Sequence, residues 1–299
     1  MNSPNLSYII TTRNRLNFLK ITLGKLLREL QPDEEIVVID SDSTDGSKAY
    51  LQDLFEKGHI HQFISEPDKN QAHGWNKAML MARGVLIKKI IDDDIFCYSA
   101  IRVCKQYMLQ NPQVDVVISN DLSSSVNDHK HVSNLTRLPQ FEKWRTGLVP
   151  SFTFGDVHML IRRSSLAQIG LYNTSFIMMD WEYSLRISYL KANIAYYTGY
   201  NALSMWHPQT VTALRNIPLI EEQSKKAGIF YEYAGDRAEI SNWSKIKIFA
   251  GKTLNYNKAR AKNVTIDQQK ITELDVMYNY LYDYLLKIND EGNYTFLSS

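Results

Sequence analysis

The chain reads as an α/β protein: a mostly parallel central sheet flanked by helices, with a mainly helical C-terminal extension. Two observations predict this. Apolar runs of strand length alternate with amphipathic segments of helical period along the first third, and the runs are continuous, as in strands buried on both faces. Clusters of turn-forming residues separate them.

Taken in order, LSYIITT (6–12) is predicted as a buried strand. RLNFLKITLGKLLREL follows as a helix, with Leu16, Leu19, Leu23, Leu26, Leu27 and Leu30 at helical spacing. EEIVVID (34–40) is the second strand, and SDSTDGS behind it is turn chemistry. HQFISE (61–66) is a short third strand, NQAHGWNKAMLMAR a helix, and VLIKKII (85–91) a fourth strand. That strand runs directly into Asp92, Asp93 and Asp94. A helix from Cys97 to Gln110 stops before Pro112, and VDVVISN (114–120) is the fifth strand. In sheets of this kind, ligands bind at the carboxyl ends of the strands. Thr11, Thr12, Asp40 and the three aspartates therefore share one rim.

Residues 121–160 read as polar and loop-like, through DLSSSVNDHKHVSN. MMDWEYSLRISYL (178–190) is predicted as a helix opened by Asp180. From about Glu221 the pattern is helical and richer in Lys and Tyr, which divides the chain into an α/β domain over 1–220 and a mainly helical region over 221–299.

Composition narrows the classes. The 299 residues are 44% hydrophobic and 22% charged, as in an ordinary globular protein. A formal net charge of +2 argues against a broad nucleic-acid surface. The two cysteines, Cys97 and Cys104, have neither metal-ligand spacing nor a disulfide pattern. The N-terminus shows no basic segment followed by a long apolar one, and no run approaches the ~18 apolar residues of a membrane span. A cytoplasmic location is the expectation. There is no G-x-G-x-x-G after the first strand, no G-x-x-x-x-G-K-[ST] and no G-x-S-x-G, so the dinucleotide-binding, P-loop and α/β-hydrolase readings lack their motifs.

Three adjacent carboxylates repel one another, and each raises the pKa of its neighbours. A solvated turn or a bound cation would relieve that. The surrounding stretches favour the cation, because together they resemble the inverting family 2 glycosyltransferases of GT-A fold, from about Leu6 to Thr212. IITTRNR resembles the family's Pro-Thr-aromatic-Asn-Arg strand end: Thr12, Asn14 and Arg15 match, while Thr11 and Arg13 stand for the proline and the aromatic. VVIDSDSTDGS resembles its Val-Val-Asp-(polar)-Ser-Thr-Asp-Gly. SEPDKNQAHGWNKAMLMARG matches at Glu66, Asp68, Asn76, Ala82 and Gly84, with Asn70 replacing a glycine. Left-handed backbone is expected at Asn70, since asparagine tolerates it. FIMMDWEYSLRISYL resembles Glu-Asp-aromatic-Glu-…-Arg, with Met179 in place of the first Glu. MWHPQTVT resembles a His-Pro-x-Ser tail.

The resemblance implies site residues. Thr11, Thr12, Arg13, Asp40, Asp68, Lys69, Asn76 and Asp92 would bind the nucleotide, with Asp40 accepting from the base and the Arg13 guanidinium able to stack on it. Asp92, Asp93 and Asp94 would hold Mn²⁺ or Mg²⁺, and His207 would contact the diphosphate or complete the metal shell. The D-x-D reading points to Asp92 and Asp94, and the spacing from Gly84 points to Asp93. Asp180 would be the catalytic base. Taken alone, Asp45 and Asp42 would cap a helix, Asp180 would complement a helix dipole, and Glu182 would pair with Arg186 one turn on.

The function implied is transfer of a sugar from a nucleoside diphosphate, UDP first, to a hydroxyl of a glycan or lipid-linked acceptor in surface polysaccharide biosynthesis. The alternatives are a nucleotidyltransferase of related fold or an inactive sugar-nucleotide- or glycan-binding protein. Residues 241–262 carry six Lys or Arg, no acid and interleaved apolar residues, a pattern that suits peripheral contact with an anionic membrane as well as an amphipathic helix packed on the domain.

Overall fold

The computed structural model describes residues 3–207, 217–233, 235 and 273–299. The basic segment 241–262 lies outside them. Strands β1 (Leu6–Thr12), β2 (Glu34–Asp40), β3 (Gln62–Ser65) and β4 (Leu86–Ile91) alternate with helices α1 (Leu16–Glu29), α2 (Ser47–Glu56) and α3 (Gln71–Met81). Next come β5 (Ile95–Phe96), α4 (Tyr98–Gln110), β6 (Val116–Ser119), β7 (Asp121–Ser125), β8 (Asp128–Leu135) and α5 (Leu138–Arg145). The chain continues through β9 (Met159–Arg162), α6 (Leu166–Ile169), α7 (Met179–Tyr189), β10 (Ile194–Tyr197) and β11 (Ala202–Trp206). The remaining described elements are α8 (Ile217–Phe230), α9 (Leu274–Glu291) and β12 (Phe296–Ser298).

The large sheet has the order β12-β10-β6-β9-β4-β1-β2-β3. It is parallel except where β9 inserts between β4 and β6 and where β12 joins β10. Its strands are apolar on both faces because both faces are covered. In β1, Leu6, Tyr8 and Ile10 join one buried cluster and Ile9 the opposite one; in β2, Ile36 and Val38 oppose Val37 and Ile39. Gly84 is required where the chain enters β4: a Cβ there would lie 2.6 Å from the backbone nitrogen of Ser7.

A second sheet, order β5-β11-β7-β8, extends from the carboxyl edge of the first. It overturns the loop reading of 121–135, which is a β-hairpin. The hairpin escaped the apolar signal because its outward positions are Ser123, Ser125, Asp128 and Ser133, while its inward contacts come from Leu122, Ser124 and the partly buried Val132. At the far end of the chain, α9 buries Leu274, Tyr278, Leu281 and Leu285 against the domain. The Tyr278 hydroxyl donates to the carbonyl of Asp93 at 2.5 Å, so this helix braces the acidic segment from behind.

Candidate active site

The rim forms where β1, β2 and β4 end side by side, with Thr12 in register with Asp40 and Thr11 with Ile91. The loops behind β1 and β2 lock together. Asn14 adopts a left-handed φ of 52° and donates its N–H to Ser43 Oγ at 2.9 Å, while its Oδ1 accepts from the N–H of Thr44 at 2.7 Å. Asp45 accepts from the N–H groups of Leu16 and Ser47, so it anchors the starts of α1 and α2, the capping role its position suggested. Asp40 is fully buried. Its Oδ2 accepts from Ser43 N and Ser65 Oγ, and its Oδ1 has no hydrogen-bond partner.

The three aspartates are buried, and each is held differently. Asp92 accepts from Thr12 Oγ1 at 2.7 Å and from Arg15 at 3.0 Å. Asp93 accepts from Arg15 at 2.6 Å, and its Oδ2 lies 2.6 Å from His207 Nε2. Asp94 accepts from the backbone N–H of Met205 at 2.7 Å. Burial and the neighbouring Asp93 push Asp92 up to about 6 against the lowering influence of Arg15, and burial drives Asp94 well above the usual carboxylate range. Burial also opposes ionisation of Asp93, yet His207 and Arg15 together hold it below that range.

Among the described residues, no group of three His, Cys, Asp or Glu side chains forms a metal cage. The donor set nevertheless fits a hard divalent cation bound in the other common way, by one or two carboxylates completed by phosphate oxygens and water. Asp94 is the observation that supports the fit. It is a fully desolvated carboxyl with a single backbone donor, and its ionised form gains from a nearby positive charge.

Two clefts meet at this rim. The first, of about 450 Å³, is lined by Thr11, Thr12, Arg13, Asp68, Lys69 and Asp92 among others. The second, of about 280 Å³, is lined by Asp93, Asp94, Asp121, Asp156, His158 and Asp180 among others. Arg15, Gln71 and Ile91 border both. The rim thus brings together all the expected nucleotide residues except two. Asp40 lies beneath the cleft floor, and Asn76 turns its amide to both the N–H and the carbonyl of Tyr172. Asp68 is set by Lys77 at 2.7 Å and by Gly74, where a Cβ would fall 2.7 Å from its Oδ2. Asn70 is extended rather than left-handed; its side chain caps α3 by accepting from the N–H of His73.

Asp180 stands in the first turn of α7 on the wall of the second cleft. Glu182 and Arg186 form a bidentate pair that also receives the Tyr231 hydroxyl, so they stiffen the helix that carries it. His207 stacks on Phe18 with ring centroids 4.8 Å apart.

The sequence did not single out Lys89, Asp156 and Asp121. Lys89 Nζ and the Tyr172 hydroxyl both reach Asp156 Oδ2 at 2.6 Å. Burial pushes Asp121 up to about 7 and His158 down to about 3, and Asp121 Oδ1 and His158 Nδ1 have no hydrogen-bond partner. Lysines inside an apolar strand were the available signal: Lys88 and Lys89 sit in β4, and a buried lysine needs a partner.

A mostly parallel sheet that ends in clefts around an acidic rim is the arrangement of a GT-A fold, and the known proteins agree. The family model for Glycosyl transferase family 2 matches residues 7–170, and the chain belongs to that family; it is a glycosyltransferase. It is 21% identical over 201 residues to the poly-beta-1,6-N-acetyl-D-glucosamine synthase of Staphylococcus epidermidis, covering 64% of this chain and 47% of the relative. The chain therefore spans about half the length of the curated relatives it matches. Among solved structures, S. aureus TarS 1-349 in complex with UDP-GlcNAc superposes with a TM-score of 0.59 at 11% identity, over 94% of this chain and 90% of that one. Mannosyltransferase PcManGT from Pyrobaculum calidifontis, in complex with GDP-Man and Mn²⁺, gives 0.53 at 15% identity, over 98% and 89%. These likenesses establish the GT-A fold. Among the described residues, no helix is long and apolar enough to cross a membrane.

Proposed function

We propose that the chain moves a sugar from a nucleoside diphosphate, UDP before GDP, to a hydroxyl of a glycan or lipid-linked acceptor, with inversion at the anomeric carbon, in the assembly of a surface polysaccharide. The observation that carries this reading is the confluence of the two clefts at Arg15, Gln71 and Ile91, with the aspartates at the seam and Asp180 on the far wall. The first cleft has the volume of a small-molecule site.

In this reading Thr11, Thr12, Arg13, Asp68 and Lys69 hold the nucleotide. Asp40 supports that cleft from beneath, through Ser43 and Ser65, rather than meeting the base itself. Asp92, Asp93, Asp94 and His207 are the groups offered to a divalent cation; the chain itself engages Asp92 through Thr12 and Arg15, and Asp93 through Arg15 and His207. A cation bound there supplies Lewis-acid neutralisation of the leaving diphosphate. Asp180 takes the proton of the acceptor hydroxyl on the opposite side of the sugar, a role worth ~10²–10⁴-fold. The walls of the second cleft hold that hydroxyl in line. The ligands bound in the structures of similar fold support both nucleotide classes and the cation: UDP-GlcNAc in TarS, and GDP-Man with Mn²⁺ in PcManGT.

The test is donor hydrolysis and thermal shift across a panel of UDP- and GDP-sugars with Mn²⁺ or Mg²⁺. Cleavage of at least one donor supports the reading, and none across the panel rejects it. Membrane contact through residues 241–262 belongs to the same proposal, and liposome flotation with anionic lipid at low salt checks it.

A further inference from the structure

The second sheet carries a surface that the transfer chemistry does not use. Its strands β8, β7 and β11 lie side by side, and their pairing sets two rungs on one face. Ser133, Ser123 and Ser204 form the first rung; Asp128, Ser125 and Trp206 form the second. Residues two apart share a face of a strand, so Ser123 and Ser125 of β7 and Ser204 and Trp206 of β11 point the same way, about 7 Å apart along the strands, while β8 passes through a register shift between its two rungs. The opposite face, through Leu122, Leu203 and Met205, is buried in the core.

This face borders a groove of about 540 Å³. Ser123 and Ser204 line both that groove and the cleft that holds Asp180, so the two adjoin. Trp206 stands at the far end and is 45% exposed. Its backbone is fixed by the β7 ladder and by the N–H of Val126, which donates to its carbonyl at 3.1 Å. A large indole held rigidly in the open, beyond a row of hydroxyls, is amphipathic in the way a sugar ring is: hydroxyls at the edges, C–H groups on the faces.

We infer that this groove is an extended acceptor track, in which a glycan chain lies along the serine rungs and stacks a sugar ring on Trp206 while its terminal hydroxyl reaches the cleft of Asp180. The inference rests on the glycosyltransferase reading and adds to it that the acceptor is an oligosaccharide of several units. A short acceptor fills the cleft alone. A longer one also covers the rungs and the indole, so recognition improves with length. Asp128 and His131 border the outer end and offer the polar contacts for that distal sugar.

The test measures acceptor KM against chain length with a donor that the wild-type protein hydrolyses. The acceptors are β-1,6- and β-1,4-linked N-acetylglucosamine and α-linked mannose oligomers of two, four and six units. For at least one series, KM is expected to fall on lengthening the wild-type acceptor. Trp206→Ala is expected to remove about tenfold of that preference, the equivalent of one ring contact. Trp206→Phe is expected to keep most of it, which a merely structural role would not require. A KM independent of length in every series, or a Trp206→Ala protein with undiminished preference, overturns the track. Failure of the wild-type protein to hydrolyse any donor is a different result and rejects the glycosyltransferase reading of the site.

Discussion

Asp93 Oδ2 and His207 Nε2 lie 2.6 Å apart although 114 residues separate them in sequence. That contact joins the segment behind β4 to the residue that follows β11. Both residues are buried, and α9 supports Asp93 from behind. The rim is therefore assembled from three distant parts of the chain, and perturbing any one of them should be felt at the others.

Asp180→Asn keeps the shape of the α7 terminus and removes the carboxylate proposed as the proton acceptor. Transfer should fall by ~10²–10⁴-fold while the affinity for the nucleotide sugar stays near wild type. Single-turnover rates with parallel calorimetry measure both. Retained turnover would reject the base assignment.

Arg15 is the cation that the folded chain itself supplies to Asp92 and Asp93. Replacing it by methionine leaves two buried carboxylates with reduced compensation, at a cost of about 3–5 kcal/mol. Urea unfolding should show that loss. A change under about 1 kcal/mol would place Arg15 with ion pairs of the exposed kind.

Lys88 gives a pH signature. Its ammonium is fully buried and donates to the carbonyl of Val157 and to Asn201 Oδ1, and burial lowers its pKa from 10.5 to about 7. Between those values the unfolded chain holds a proton that the folded chain does not, so stability rises with pH across that window, by at most ~1.4 kcal/mol per pH unit. Wild type should therefore gain on Lys88→Met as pH is raised from 7 to about 9. Parallel pH curves for the two proteins would show that Lys88 keeps its proton on folding.

Much of this was legible in the sequence, for a physical reason. Strands such as IVVI at 36–39 are buried on both faces and must be apolar throughout, and the acidic run stands out because a sheet rim is where such a run is tolerated. Asp93 and His207 could each be suspected from the family pattern, but their contact could not, because nothing in local sequence encodes a separation of 114 residues. The β7–β8 hairpin stayed hidden because one of its faces is serine, so period-two apolar alternation never develops. Arg15 matched a motif, yet its bridging of two aspartates depends on how β1 and β4 lie together. Asp121, Asp156 and His158 acquire meaning only as walls of one cleft.

The central claim is that the acidic rim holds a divalent cation that carries the donor's diphosphate. Titration calorimetry of UDP into the metal-free protein, with and without Mn²⁺, tests it most directly. The account predicts at least about tenfold tighter binding with Mn²⁺, ~1.4 kcal/mol, and loss of that gain in Asp93→Asn. Equal affinity in the two conditions would contradict it.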